Sequence, residues 1–183
     1  LYALLDIAKS ANVNPIVHVI TDGRDTPTTS GIGFLANLKA KMEADNVGRI
    51  ASVSGRYYAM DRDKRWDRTK RYYDALVKRQ GEFAKTAQEA IQQSYDKDVT
   101  DEFIVPTVVG DDERLRVKSG DVLIFYNFRA DRMRQITSMF GIKGTGDLPA
   151  GDFINDLMLI TMTEYEPDLP AEVLFPLAHL HNV

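Results

Sequence analysis

The stretch SGRYYAMDRDKRW, residues 54–66, directly follows the apolar run IASV at residues 50–53. The run is short, partly β-branched and closed by Gly55, which predicts a buried strand that ends there. Cationic side chains then crowd into ten residues, with aromatic residues among them. They are Arg56, Arg62, Lys64 and Arg65. The pattern therefore predicts a strand that carries a cationic cluster at its carboxyl end.

Two shorter segments share this organisation. The segment TDGRDTP at residues 21–27 follows the β-branched run 16–20, and FYNFRADR at residues 125–132 closes the apolar run 122–126. In open α/β sheets, ligands bind beyond the carboxyl ends of strands. We therefore predict that three strand ends converge on one anionic ligand.

The fold class follows from the alternation of strands and helices. Amphipathic patterns predict helices between the apolar runs, one of them with Phe34, Leu35, Leu38 and Met42 on its inner face. Strands are predicted at residues 16–20, 50–53, 103–105, 122–126 and 157–162, with an irregular tail from residue 168. Pro106 places the third strand at an edge or makes it end there. This order predicts a layered α/β/α domain with a mostly parallel or mixed sheet.

Composition narrows the class of ligand. A chain of 183 residues suits one large domain, with or without a small appendage. The net charge of −4 disfavours general binding of nucleic acid or anionic membranes. Without cysteine, neither a disulfide nor a thiolate metal site can form. No apolar run approaches the ~18 residues of a membrane span and no signal peptide is visible, so we expect a cytoplasmic protein.

Arginine is suited to small anions because its guanidinium is permanently charged and matches carboxylate and phosphate oxygens. Arg56 and Arg62 flank a predicted turn, which favours a binding role over a solvated surface. Arg129 and Arg132 are one helical turn apart and can face one ligand, or can pair with a neighbouring acid such as Asp131. A solvated helix face is the simpler interpretation of three further arginines. They are Arg65, Arg68 and Arg71.

Asp25 is the candidate acid/base. Beside Arg24 it would be held ionised and could accept a proton from a substrate hydroxyl, although a turn or helix-capping role is the alternative. Asp22 is assigned to the turn. His18, in the middle of a predicted strand, is interpreted as a core residue, and a metal site at His179 and His181 is disfavoured because no other ligands are near them in the sequence.

Taken together, these segments resemble one enzyme family. The blocks at residues 22–27, 54–66 and 127–132 are similar to those of the 2,3-bisphosphoglycerate-independent phosphoglycerate mutases. Tyr95, the residues 101–103 and Pro106 also fit the family pattern. The resemblance runs from Leu1 to about Pro176.

The resemblance implies a two-domain enzyme of glycolysis and gluconeogenesis that interconverts 3-phosphoglycerate and 2-phosphoglycerate. One domain belongs to the alkaline-phosphatase superfamily and holds two manganese ions and a transiently phosphorylated serine. The other, inserted in sequence, is the phosphotransferase domain that holds the glycerate, and this chain resembles that domain. Residues 1–176 would form it, and residues 177–183 would begin the linker to the metal-binding domain. No 2,3-bisphosphoglycerate would be required.

Residue by residue, the resemblance assigns substrate binding to five arginines and acid/base chemistry to Asp25. The arginines are Arg24, Arg56, Arg62, Arg129 and Arg132. The serine and the metal ligands would lie outside this chain, which begins without Met, so we expect part of a longer protein that is inactive alone. Its partners would be the substrate and the metal-binding domain of a monomeric parent, with no nucleic acid and no membrane.

Two other classes of function remain open at this point. The chain could be a stand-alone binding module for small phosphorylated carboxylic acids. It could also be a nucleic-acid-binding fragment, whose affinity would fall steeply with salt.

Overall fold

The computed structural model describes residues 1–176, apart from the side chain of Asp147. The predictions for residues 177–183, including those for His179 and His181, lie outside the described residues. The chain divides into two compact units. Unit 1 comprises Leu1–Ala59 and Arg71–Arg116, and unit 2 comprises Met60–Lys70 and the described residues from Val117 to Pro176.

Helices and strands alternate along most of the described chain. The helices are α1 (Tyr2–Ser10), α2 (Gly31–Asp45), α3 (Arg56–Ala59), α4 (Trp66–Val77), α5 (Ala87–Tyr95) and α6 (Ala130–Gly141). The strands are β1 (Ile16–Thr21), β2 (Arg49–Gly55), β3 (Glu82–Ala84), β4 (Thr107–Val109), β5 (Val122–Phe125), β6 (Met158–Thr161) and β7 (Ala171–Val173). Short 3₁₀ helices occupy Asp101–Phe103, Glu113–Leu115 and Thr145–Asp147.

Unit 1 contains a four-stranded mixed sheet in the order β1-β2-β4-β3. β1 and β2 are parallel, and β4 runs antiparallel to β2. Ala51 is an extra residue in β2, because Val17 pairs with Ile50 while His18 pairs with Ser52. This bulge keeps Ile50 and the buried Val53 against the same core despite their odd spacing.

The core of unit 1 is formed by apolar side chains from α1, α2 and α5 and from the strands. Leu5, Leu38 and Met42 form one cluster, and Leu35 joins a second cluster with residues of β2, β4 and α5. The predicted inner face of α2 is confirmed for these residues. Phe34 is the exception, since it is 60% exposed.

The predicted strand at residues 103–105 is wrong. Residues Asp101–Phe103 form a 3₁₀ helix, and strand β4 begins only after Pro106, which has no N–H to donate to a ladder. β4 also lies between β2 and β3 and is not an edge strand. Its three residues are too few for a periodic pattern to reveal them.

Unit 2 contains a three-stranded parallel sheet in the order β5-β6-β7. Helix α6 covers one face, where Phe125 and Phe140 have ring centroids 6.1 Å apart. On β5, Val122 and Ile124 are half-exposed, so this strand is less buried than its apolar sequence suggests. Strand β7 corrects the prediction of an irregular tail. The predicted α/β class with parallel and mixed pairing is confirmed, with the strands divided between two sheets.

His18 is partly buried in β1, and its Nδ1 lies 2.8 Å from Ser52 Oγ on β2. Burial, helped by the positive charge of Arg79, lowers the pKa of His18 from 6.5 to about 4. The folded state thus binds fewer protons than the unfolded state between these values, so stability falls as pH falls through this window.

We expect the titration of His18 to lower the free energy of unfolding of the wild-type chain by about 2 kcal/mol as the pH falls from about 7.5 to about 5. Urea unfolding of the wild type and of His18→Asn at both pH values measures this contribution as the difference between the two proteins. Parallel losses in both proteins would show that His18 does not titrate in this way.

No helix in the described part of the chain is long and apolar enough to cross a membrane.

Candidate active site

In unit 1, the carboxyl ends of β1 and β2 lie side by side, with Thr21 opposite Gly55. After β1, the chain turns through residues 22–25, and Gly23 adopts a left-handed conformation with φ +65°. The backbone N–H groups of Arg24 and Asp25 each donate to Asp22 Oδ1 over 3.2 Å. The assignment of Asp22 to the turn is therefore confirmed.

Arg56 binds both carboxylates of this turn. Its Nη1 donates to Asp22 Oδ1 over 2.5 Å and to Asp25 Oδ2 over 2.7 Å. The Arg56 side chain is only 5% exposed, whereas that of Asp25 is 63% exposed. Within residues 1–176, the buried Arg56 Nε has no hydrogen-bond acceptor. A buried guanidinium is thus held by acids on one side and retains an unused donor.

The charges in this group stabilise one another. Burial by itself would raise the pKa of Asp22, but hydrogen bonds from Arg56 and from the turn backbone outweigh it, so the pKa lies below its ordinary value. Burial by itself would lower the pKa of Arg56, but hydrogen bonds to Asp25 and Asp22 raise it. Asp22 and Arg56 are therefore both charged at neutral pH.

Arg24 lies on the same turn and pairs with Glu102. Its Nη1 is 3.5 Å from Glu102 Oε1, and its side chain is 58% exposed. The effect of Arg24 on Asp25 stays a prediction, and the structure adds a hydrogen bond from Arg56 to Asp25. Unit 1 therefore brings Arg24, Asp25 and Arg56 together at one strand edge, which we call the strand-end cluster.

In unit 2, Asp131 lies between two arginines. Arg62 Nη1 donates to Asp131 Oδ2 over 2.7 Å, and Arg129 Nε donates to Asp131 Oδ1 over 3.1 Å. The hydrogen bond from Arg62, followed by that from Arg129, lowers the pKa of Asp131 despite partial burial. This confirms pairing of Arg129 with a neighbouring acid, and it adds Arg62 to the same acid.

Arg132 lies in the first turn of α6 but in different surroundings. It is 9% exposed and its Nη1 donates to the Met60 carbonyl over 3.3 Å, whereas the Arg129 side chain is 48% exposed. Both arginines, with Arg62, lie where the 60–65 loop meets the start of α6. We call these three residues the loop–helix cluster.

Asp61 and Gln135 support this loop, a role that the sequence did not predict for either residue. Gln135 Nε2 donates to Asp61 Oδ1 over 2.9 Å, and the Lys64 N–H donates to Gln135 Oε1 over 2.6 Å. The Asp61 side chain is 3% exposed and also accepts from the Arg65 N–H. A buried amide that bonds both sides of a loop fixes the direction of Arg62. Asp61 and Gln135 lie 74 residues apart in the sequence, so no local pattern indicates that their side chains form a hydrogen bond.

The remaining arginines of the 54–71 region are surface or supporting residues. Arg65 is exposed. Arg68 pairs with Asp61 at 3.3 Å, and Arg71 lies 5.0 Å from the ring centroid of Tyr58. These contacts are compatible with the predicted helix face, although Arg68 is less solvated than expected.

Among residues 1–176, no group of three or more histidine, cysteine, aspartate or glutamate side chains could hold a metal ion. The resemblance places the ligands of its manganese pair outside this chain, and the described residues offer no group that would fit such a pair. That chemistry cannot be assigned to any side chain of this part of the molecule.

As predicted, β1 and β2 deliver their site residues to one edge. The end of β5 belongs to unit 2, and convergence of all three strand ends on one ligand stays a prediction. Chemically, each cluster combines fixed cations with a carboxylate at a solvent-accessible position. Such an arrangement can bind an anionic group, and in the strand-end cluster it can exchange a proton with it.

Known proteins are similar to this chain in sequence and in fold. A family model described as BPG-independent PGAM N-terminus matches residues 1–167. A 2,3-bisphosphoglycerate-independent phosphoglycerate mutase of Thermomicrobium roseum is 49% identical over 96% of this chain, and one of Haloarcula marismortui is 45% identical over 96%. The chain spans about a third, 34%, of the length of each.

A solved structure adds agreement in three dimensions. The phosphoglycerate mutase of Leishmania mexicana, crystallised at low cobalt concentration, superposes with a TM-score of 0.84 at 26% identity. The match covers 96% of this chain and 34% of that chain.

Proposed function

The chain belongs to the family of 2,3-bisphosphoglycerate-independent phosphoglycerate mutases, and on this premise we propose that it is the substrate-holding domain of such an enzyme. The complete protein would interconvert 3-phosphoglycerate and 2-phosphoglycerate in glycolysis and gluconeogenesis. The phosphoryl group would pass through a serine that lies outside this chain.

One observation carries the proposal. A nearly buried arginine, Arg56, is bound to an exposed acid, Asp25, at the shared carboxyl edge of two parallel strands. Open α/β proteins bind ligands at such edges, and the exposed Asp25 carboxylate lies where a ligand can reach it. The neighbouring Arg24 supplies a second, more exposed guanidinium.

The side chains then have distinct roles. Arg24 and Arg56, with Arg62, Arg129 and Arg132 of the loop–helix cluster, would bind the anionic groups of the substrate. While the phosphoryl group resides on the serine, these arginines would keep glycerate bound as it reorients. Holding both reactants in place supplies the entropic advantage of an intramolecular step.

Asp25 would act as the acid/base. Its carboxylate would accept the proton of the glycerate hydroxyl that takes the phosphoryl group and return it to the hydroxyl that has released one. The Arg56 guanidinium next to it donates to Asp25 Oδ2 over 2.7 Å and holds the carboxylate in this position.

Two manganese ions would complete the enzyme, with ligands outside this chain, and would stabilise charge on the transferring group. We further propose a cytoplasmic, monomeric parent that binds neither nucleic acid nor membranes. The names of the relatives indicate independence from 2,3-bisphosphoglycerate.

Binding of 3-phosphoglycerate tests the proposal. We expect Arg24→Ala and Arg62→Ala each to weaken binding about 10- to 100-fold, since a charge-assisted hydrogen bond contributes about 1.5–3 kcal/mol. Both side chains are about half-exposed, so the folded structure should persist. Calorimetric titration of this chain measures the affinity directly, with glycerol 3-phosphate as the analogue that lacks the carboxylate.

Arg114→Ala and Lys143→Ala are matched controls, because they remove exposed cations outside both clusters. Their affinity should equal that of the wild type. If all four variants bound with equal affinity, the binding would be nonspecific electrostatic attraction, and this result would contradict the proposed sites. The stand-alone binding module is the alternative, in which this chain binds 3-phosphoglycerate but has no catalytic partner and no 2-phosphoglycerate is formed.

A further inference from the structure

The 3₁₀ helix Asp101–Phe103 lies directly against both strand ends of the strand-end cluster. A Cβ atom on Gly23 would lie 2.6 Å from the Glu102 nitrogen, and one on Gly55 would lie 2.2 Å from the Glu102 oxygen. The Gly55 N–H also donates to the Ile104 carbonyl over 2.8 Å. Glycine is therefore required where each strand end meets this helix, because the backbones approach too closely for any side chain.

Asp101 holds this 3₁₀ helix in place. Its side chain is completely buried, and it accepts a 2.7 Å hydrogen bond from the Gly31 N–H and a 2.5 Å hydrogen bond from the Tyr95 hydroxyl. Its own N–H donates to the Thr28 carbonyl over 2.9 Å, and its carbonyl accepts from Thr21 Oγ1 over 2.7 Å. These bonds tie Asp101 to the end of β1, to the start of α2 and to the end of α5.

A buried carboxylate is costly unless hydrogen bonds compensate for it, so its presence needs an explanation. At the start of α2, Ser30 makes no side-chain capping bond, and the Asp101 carboxylate instead accepts from the first N–H of the helix. The Ser30 hydroxyl donates to the Pro27 carbonyl over 2.8 Å instead of capping the helix. A capping carboxylate from 70 residues away additionally fixes the distance between the helix and the turns.

Glu102, the next residue, extends the same support to the charged groups. Its carboxylate pairs with Arg24, while its backbone lies against Gly23 and Gly55, which immediately precede Arg24 and Arg56. A displacement of the 3₁₀ helix would therefore move both arginines and, through Arg56, Asp25.

We propose that Asp101 is a positioning residue: its buried carboxylate, held by Tyr95 and Gly31, fixes the 3₁₀ helix against which the ends of β1 and β2, followed by Arg24, Asp25 and Arg56, are set. Its consequence for substrate rests on the proposed function. The positioning itself concerns the folded chain and can be measured without ligand.

The experiment compares Asp101→Asn, Asp101→Ala and Tyr95→Phe with the wild type by amide hydrogen exchange. The expected result is exchange about 10-fold faster at Gly31 and Gly55, with no change at amides in the middle of α6. Asp112→Asn is the matched control, since it removes a carboxylate that bonds two arginines elsewhere in unit 1. If Asp101→Ala does not fold, Asp101→Asn and Tyr95→Phe still decide the matter.

Titration with 3-phosphoglycerate then completes the test, and we expect affinity to fall about 10-fold in Asp101→Asn while the midpoint of urea unfolding changes little. Unchanged exchange at both glycines would overturn the positioning role, whatever the affinity. Faster exchange in a chain whose wild type does not bind 3-phosphoglycerate would support positioning and count against the proposed function instead. Faster exchange with unaltered affinity would show that Asp101 serves the fold alone, and would overturn the inference.

Discussion

Replacing Arg56 with alanine is expected to weaken 3-phosphoglycerate binding by about 100-fold or more. Truncating one member of a buried, hydrogen-bonded charge group costs about 2–5 kcal/mol in recognition. The Arg56→Ala substitution removes a guanidinium that binds two carboxylates. Asp22 and Asp25 would then repel an incoming anion. Calorimetric titration of Arg56→Ala against the wild type measures the effect.

The same substitution should also destabilise the fold by about 2 kcal/mol. Breaking a fully buried pair costs about 3–5 kcal/mol, but the Asp25 side chain is 63% exposed and can be resolvated. Arg56→Lys should recover part of the stability and little of the affinity, because a single ammonium does not reproduce the planar donor fork.

Arg114→Ala provides the control for Arg56→Ala. Arg114 is 85% exposed and bonds a carboxylate in the same unit, so its removal should alter neither binding nor unfolding measurably. Wild-type affinity in Arg56→Ala, with folding verified, would mean that the strand-end cluster is a structural ion group and that the substrate binds elsewhere.

Gly55→Ala is expected to prevent folding or to cost at least about 3 kcal/mol of stability. The added Cβ would lie 2.2 Å from the Glu102 oxygen and 2.7 Å from the Asp101 oxygen. Both obstacles are backbone atoms of a helix fixed by several hydrogen bonds, so neither can move aside as a flexible side chain would. Overpacking against fixed neighbours is among the few mechanisms that give such large losses. Urea unfolding or the soluble yield measures the outcome.

Gly33→Ala is the matched control for a methyl group added at a glycine. Gly33 lies inside α2, and a Cβ atom there would meet no other part of the described chain within 4 Å. Replacing a helical glycine with alanine should stabilise the chain by up to about 1 kcal/mol. A Gly55→Ala protein as stable as the wild type would show that the 3₁₀ helix Asp101–Phe103 yields easily, and would weaken the positioning role of Asp101 as well.

The local sequence pattern was sufficient to predict most of the long helices and strands. The 3.6-residue periodicity of Leu35, Leu38 and Met42 correctly predicted α2, and the β-branched run at residues 16–20 correctly predicted β1. Short strands escaped prediction because three residues, as in β3 and β4, contain less than two periods of any pattern. The apolar residues 103–105 do not form a strand. Phe103 ends a 3₁₀ helix, and the Ile104 carbonyl accepts a hydrogen bond from the Gly55 N–H at the end of β2 and takes no part in a β-ladder.

The sequence by itself determined the α/β class, the family, and the placement of arginines and carboxylates immediately after strands. These features are local, because each depends on residues within a few positions of one another. Only the tertiary structure decided which charges meet: Arg56 with Asp25 across 31 residues, and Arg62 with Asp131 across 69. It also revealed Asp101 as the support of the strand-end cluster. Such pairs depend on the order and register of strands and on packing between distant segments, and a linear pattern of residue types does not specify these.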